Sequence, residues 1–156
     1  MTTSSFRDQH LDLQHLVREL RVLRNHNLKF KEGAPQDTML MFAEAALVVL
    51  VLERFVRVLL GDATDRETLH NLLERAVSRR LIRLPWDDQQ EGIKKIVGVR
   101  NTMLHGNYEQ AAREAGCSKV PEYFKTQFAG EVERLYLITN EVFTQIDPET
   151  GKPRSP

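Results

Sequence analysis

The chain has 156 residues, enough for one hydrophobic core and too few for two full-sized domains to be expected. Its 22 basic and 22 acidic residues cancel, which argues against a protein that coats nucleic acid by bulk attraction. A single cysteine, Cys117, excludes an intramolecular disulfide and a CxxC pair and favours a reducing compartment. The first residues are polar and lack the plan of a secretion signal, so we expect a cytoplasmic protein.

The first half of the chain predicts two helices. Apolar residues at three- and four-residue steps predict an amphipathic helix over residues 5–30. After a Gly-Ala-Pro break, a second helix is predicted from residue 37 or 38 to residue 60, closed by Gly61. Its first half is apolar on every side except at Glu44, which predicts a central place in a bundle. Charged residues interrupt this run too often for a membrane span.

Capping patterns mark the starts of the next two helices. Thr64 and Glu67 fit a capping box for a third helix, and Asp87 with Gln90 repeats the pattern before a fourth helix that ends at Gly106. A short helix over 108–115 and a long one from residue 118 or 121 to residue 147 follow.

Strand patterns are almost absent, so the sequence predicts an all-α, up-and-down bundle of four to five main helices plus a short helix. We expect a single domain over residues 1–147 and a disordered tail over 148–156.

The end of the fourth helix carries residues suited to phosphate chemistry, in the stretch VRNTMLHG. On a helical wheel Arg100 falls on the inward-packing face, whereas His105 lies about 140° away, beside Asn101. Histidine can serve as base or acid near neutral pH, and arginine offers forked donors to phosphate oxygens. Because Gly98 lies on the same strip as Asn101 and His105, that strip suits packing against a second copy, which would supply two residues of each kind.

The same residues also have structural interpretations. Arg100 would then pair with a buried carboxylate, for which Glu44 is the candidate, and His105 would cap the helix C-terminus. A basic run could guide an RNA backbone towards the motif, although such runs are also typical of a solvated helix face. Its members are Arg79, Arg80, Arg83, Lys94 and Lys95. The other histidines lack ligand spacing, and we expect neither a metal nor a cofactor.

The segment from Arg100 to His105 resembles the R-polar-x3-H form of the Rx4–6H motif of HEPN domains, which are all-α bundles. The resemblance implies a homodimer with facing motif helices and metal-independent endoribonuclease activity, in toxin–antitoxin, phage-defence or RNA-processing settings. By position it implies Arg100 and His105 as the catalytic pair and Asn101 as a polar accessory residue. RNA is then the substrate, and a minimal nucleotidyltransferase antitoxin is a candidate partner. The alternative is a non-catalytic helical module that binds a protein or a nucleotide.

Overall fold

The structure, a computed structural model, describes residues 5–27, 35–106 and 108–154; for residues 35–39, 103–105 and 125 it describes the backbone alone. These ranges form an all-α helical bundle without strands, as the sequence predicts. Its helices are α1 (Phe6–Gln9), α2 (Leu11–Asn27), α3 (Pro35–Leu60), α4 (Leu69–Ser78), α5 (Gln89–His105), α6 (Tyr108–Glu114), α7 (Val120–Tyr123) and α8 (Ala129–Thr144), with a π-helical turn at Phe124–Phe128 between α7 and α8.

Helix α3 lies in the middle of the bundle, where it packs against α2, α4, α5 and α8. Val48, Val51 and Leu52 are fully buried because these faces of α3 pack against neighbouring helices. Leu50 on the remaining face is exposed. The predicted central position is therefore confirmed. The helix ends before Gly61, whose positive φ of 74° is readily adopted by glycine. No helix in the described ranges combines the length and the apolar character that crossing a membrane requires.

Two predicted helix starts are displaced by up to one turn. The N-cap of α4 is Thr68, whose hydroxyl accepts a hydrogen bond from the Asn71 amide at 3.2 Å. Thr64 and Glu67 do bond to each other, but they form a separate turn before α4. The Glu67 carboxylate also pairs with Arg75. At the start of α5 the cap is Asp88, not Asp87.

The first predicted helix is divided at His10 into α1 and α2, and its predicted end near residue 30 lies outside the described residues. The structure describes residues 148–154 of the segment that the sequence predicts as a disordered tail, and this part bonds to the rest of the chain. The amide of Phe6 donates to the Glu149 carbonyl at 2.9 Å, and Ile146 pairs with Pro153 in an isolated bridge. A polar composition could not reveal these bonds, which satisfy backbone groups of both segments.

Candidate functional site

The motif lies at the C-terminal end of α5, which packs chiefly on α3, α4 and α6. Ile93 and Ile96 are buried and hold the helix against the core. Gly106 ends the helix in the left-handed region, with φ at 67°, as the sequence predicts. The end of α5 is thus fixed by packing before it and by a defined cap after it.

Tyr108 anchors the chain just beyond the motif. Its ring centroid lies 5.4 Å from that of Phe42, 5.0 Å from that of Phe124 and 6.1 Å from that of Phe128. These are the separations of favourable aromatic pairs. Burial raises the pKa of the Tyr108 hydroxyl. The aromatic cluster therefore ties the start of α6 to α3 and to the π-helical turn.

Arg100 spans the boundary between the core and solvent. Its Nε is buried and lies 3.5 Å from Oε1 of Glu53 in α3, which is an ion pair rather than a good hydrogen bond. Its Nη1 donates to Oδ1 of Asn101 at 3.2 Å. A guanidinium has five N–H donors, and the described residues supply Arg100 with no further acceptor. The inner edge of the guanidinium faces Glu53, and the terminal nitrogens retain donors for an anion.

The acid beside Arg100 is Glu53 and not the expected Glu44. The two glutamates are nine residues apart in α3, about 180° around the helix, so they face opposite sides. Glu44 is buried and lies 3.5 Å from the guanidinium of Arg24 in α2. Burial raises the pKa of Glu44, although Arg24 opposes the rise. The sequence could not show which face α5 covers.

The structure places the Asn101 side chain but only the backbone of His105. Asn101 is exposed, and its Oδ1 accepts a hydrogen bond from Arg100. His105 is the last residue of α5, but its side chain lies outside the described part of the chain. Helix geometry puts the His105 backbone about 7.5 Å along the axis from that of Arg100. The predicted role of Asn101 in orienting the imidazole stays a prediction.

The residues of the predicted basic run lie in different parts of the structure. Arg79 pairs with Asp62 at 3.1 Å, and this hydrogen bond holds the pKa of the Asp62 carboxyl below its usual value. Arg80 and Arg83 line a separate cavity of about 620 Å³ beside the start of α5. Because a helix rises 1.5 Å per residue, that end lies about 16 Å along the axis from Arg100. These three arginines therefore lie away from the motif.

The two lysines of the run lie on the motif helix itself. Lys94 and Lys95 are both exposed, midway along α5. The Nζ of Lys95 lies 5.8 Å from the ring centroid of Trp86, which is within the range of a cation–π contact. Of the predicted RNA-guiding residues, only these two share a helix with Arg100.

A cavity of about 310 Å³ lies between α5 and α8, next to the motif. Helix α5 contributes Gly98 and Thr102 to its wall, and α8 contributes Glu131 and Arg134. Sequence reasoning missed these two α8 residues because only tertiary packing brings them to α5. No local pattern in α8 marks them.

In the described part of the chain, no three His, Cys, Asp or Glu side chains are grouped so that they could hold a metal ion. No protein-family model, curated protein or solved structure matches the chain.

Proposed function

We propose that this protein is a HEPN-like, metal-independent endoribonuclease that acts as a homodimer. Arg100 binds the scissile phosphate, His105 acts as general base or acid, and Asn101 orients His105. The observation that carries the proposal is Arg100 itself, whose buried edge faces Glu53 while its terminal nitrogens keep free donors, five residues before a histidine.

The reaction follows from the chemistry of RNA. A base takes the proton of the 2′-hydroxyl, the 2′-oxygen attacks phosphorus, and the bond to the 5′-oxygen breaks as an acid protonates that oxygen. The products are a 2′,3′-cyclic phosphate and a 5′-hydroxyl. The guanidinium of Arg100 stabilises the extra negative charge on the phosphorane. The reaction needs both a base and an acid, and the motif of each chain offers one histidine, His105.

A second copy supplies the missing group. Gly98 is exposed on α5, and a Cβ added there would meet nothing within 4 Å. The open space over Gly98 supports close approach of the same helix from another protomer, since glycine lets backbones come near each other. Two motif helices that meet at this strip across a twofold axis would bring a His105 from each chain to one cleft.

We further propose that the protein works in the cytoplasm as a toxin of a toxin–antitoxin or phage-defence system, with a minimal nucleotidyltransferase as its antitoxin. Expression in a bacterial host should then slow growth. Growth should recover when His105 is replaced by alanine or when the antitoxin is present.

The direct test is cleavage of single-stranded RNA by the purified protein in EDTA. We expect products with 2′,3′-cyclic phosphate ends. His105→Ala and Arg100→Ala should each lower the rate by about 10²-fold or more, the usual size of an acid–base or charge-stabilising contribution. His70→Ala is the matched control, because His70 is partly exposed on α4 and faces Glu74. Absence of cleavage, or cleavage unchanged in His105→Ala, overturns the proposal.

The ion pair with Glu53 also fits the alternative, a non-catalytic helical binding module in which Arg100 is structural. In that case Arg100→Ala lowers thermal stability or weakens assembly, and the wild-type protein never cleaves RNA. The EDTA assay on the wild-type protein separates the two functions.

A further inference from the structure

The cavity between α5 and α8 has the size and lining of a ligand site. Its volume of about 310 Å³ lies at the lower end of the range for small-molecule pockets. Buried Ile96, Leu135 and Ile138 give it an apolar floor. Gly98 and Thr102 in its wall are each two residues from Arg100, about 3 Å along the axis of α5. Two residues also turn the chain about 200° around the helix, so the cavity lies on the face of α5 that is turned away from Arg100.

Two cations gather over one indole at this cavity. The Cζ of Arg134 lies 5.3 Å and the Nζ of Lys95 lies 5.8 Å from the ring centroid of Trp86. Both side chains are exposed, and neither forms an ion pair with any described residue. Cation–π contact localises the two charges without using their N–H donors on a carboxylate. They remain available to phosphate oxygens, which both side chains bind well.

The indole is held in place from α5. A Cβ added at Gly92 would lie 2.6 Å from Cε3 of Trp86, so the ring packs directly on the helix backbone. Trp86 therefore fixes both the wall of the cavity and the position of its cations.

The cavity also contains one acid, Glu131. Its Oε2 accepts a hydrogen bond from the Tyr123 hydroxyl at 3.1 Å, and its Oε1 has no hydrogen bond from any described residue. Burial raises the pKa of this carboxyl, although the hydrogen bond from Tyr123 opposes the rise. A partly buried carboxylate with a free oxygen in a cleft is typical of a binding site.

We propose that this cavity binds one guanosine nucleotide of the RNA substrate, with its phosphate on Lys95 and Arg134 and its base edge on Glu131. The inference rests on the proposed function, since it names a nucleotide of the RNA substrate that would bind beside the motif helix. Two cations against one carboxylate favour an anionic ligand. Guanine alone presents two adjacent N–H donors on its pairing edge, whereas the other bases place an acceptor beside the donor. These donors match the free Oε1 of Glu131 and the second lone pair of its Oε2, whose first lone pair accepts from Tyr123.

Trp86 is the only tryptophan, so its fluorescence reports on this cavity alone. We expect GMP to change that fluorescence saturably in the intact protein, with a Kd about tenfold below those of AMP, CMP and UMP, as a bidentate base contact gives. Glu131→Gln should remove the preference for GMP and leave the Kd for AMP unchanged. This variant keeps an acceptor for Tyr123, and its melting temperature checks the fold.

Arg134→Gln should weaken all four nucleotides by about tenfold, the effect of one lost charge-assisted phosphate contact. Calorimetry should accompany the fluorescence for this variant, because Arg134 itself lies over the indole. The control is Arg66→Gln, an exposed arginine outside the cavity, which should change nothing. Equal affinities for the four nucleotides, no saturable binding, or a GMP preference that survives Glu131→Gln overturns the inference.

Cleavage of RNA is a separate readout. Selective GMP binding by a protein that does not cleave RNA supports the proposed nucleotide site and overturns the proposed endoribonuclease activity. Cleavage in EDTA by a protein that binds no nucleotide in this cavity supports the endoribonuclease and overturns the cavity.

Discussion

Two glutamates of α3 face arginines on opposite sides of the bundle. Glu53 and Arg100 both keep part of their side-chain surface in water, whereas only 3% of the Glu44 and 14% of the Arg24 side chain is exposed. Water screens the first pair, but the second bears the cost of removing charges from water. Glu44 is therefore the acid whose ionisation should affect folding.

We expect Glu44→Gln to be more stable than the wild type at neutral pH, with a melting temperature a few degrees higher, and the gain to vanish in acid. Burial raises the pKa of Glu44, so the folded protein binds this proton more tightly than the unfolded chain. Ionised Glu44 thus lowers stability above its folded pKa, and the loss disappears below its ordinary value of 4.5. Arg24 keeps a partner in the variant, because Glu133 lies 3.2 Å away.

Thermal unfolding of both proteins from acidic to neutral pH measures this difference. Glu133→Gln is the matched control: it faces the same arginine but is 57% exposed, so its effect should change little with pH. A Glu44→Gln protein that is less stable than the wild type at neutral pH would contradict the raised pKa.

At the scale of elements, the two glycines within α5 have opposite surroundings. Gly92 is buried under Trp86, and Gly98 is exposed with nothing near its missing Cβ. Gly92 is needed because any side chain there would clash with Trp86. Gly98 leaves space that only a second molecule could use.

Alanine at these positions should shift stability in opposite directions. Gly92→Ala should lower the free energy of unfolding by about 1–3 kcal/mol, since the methyl group overlaps Trp86 and this outweighs the better helix propensity of alanine. Gly98→Ala should raise it by about 0.5–1 kcal/mol in the dissociated chain, because no clash within the chain opposes the gain in propensity. Urea denaturation monitored by circular dichroism measures both. Equal stability of the two variants would show that Trp86 does not pack on Gly92.

The three- and four-residue periodicity predicted where helices lie, but it did not predict local irregularities within them. Glycines at 61 and 106 mark the observed ends of α3 and α5, because a left-handed cap is a local property of the chain. The π-helical turn at Phe124–Phe128 was not predicted, since residues four apart were counted as regular helix. There Phe124 and Phe128 lie with ring centroids 5.2 Å apart in the Tyr108 cluster, a packing effect invisible to a local pattern.

The candidate site could likewise be predicted only in part. Arg100 could be identified from its own helix, whereas its partner Glu53 depends on how α5 packs against α3. Glu131 and Arg134 depend on how α8 lies beside α5. Local spacing identifies the chemistry of one element, and tertiary packing decides what surrounds it.

At the scale of the whole molecule, one chain carries half of the groups that the proposed reaction needs. Each copy has a single motif, and its Gly98 strip is open in the isolated chain. If the motif helices meet there, assembly and catalysis depend on the same surface. Dimerisation and cleavage should then be lost together by a change that does not touch Arg100 or His105.

Gly98→Leu is that change. A Cβ at this position meets nothing within 4 Å in the isolated chain, whereas a leucine side chain blocks close approach of a second α5. We expect a folded monomer by analytical ultracentrifugation and a cleavage rate lowered by about 10²-fold or more, since no second His105 completes the site.

Gly130→Leu is the matched control, because Gly130 is another exposed helical glycine with nothing within 4 Å of its missing Cβ. It should remain dimeric and cleave RNA at the wild-type rate. A Gly98→Leu protein that stays dimeric and active would place the interface elsewhere, and a wild-type protein that cleaves RNA as a monomer would remove the need for a shared site. Gly98 also lines the cavity between α5 and α8. Loss of dimer and activity in Gly98→Leu alone would therefore tie catalysis to the meeting of two motif helices only if this variant still binds GMP.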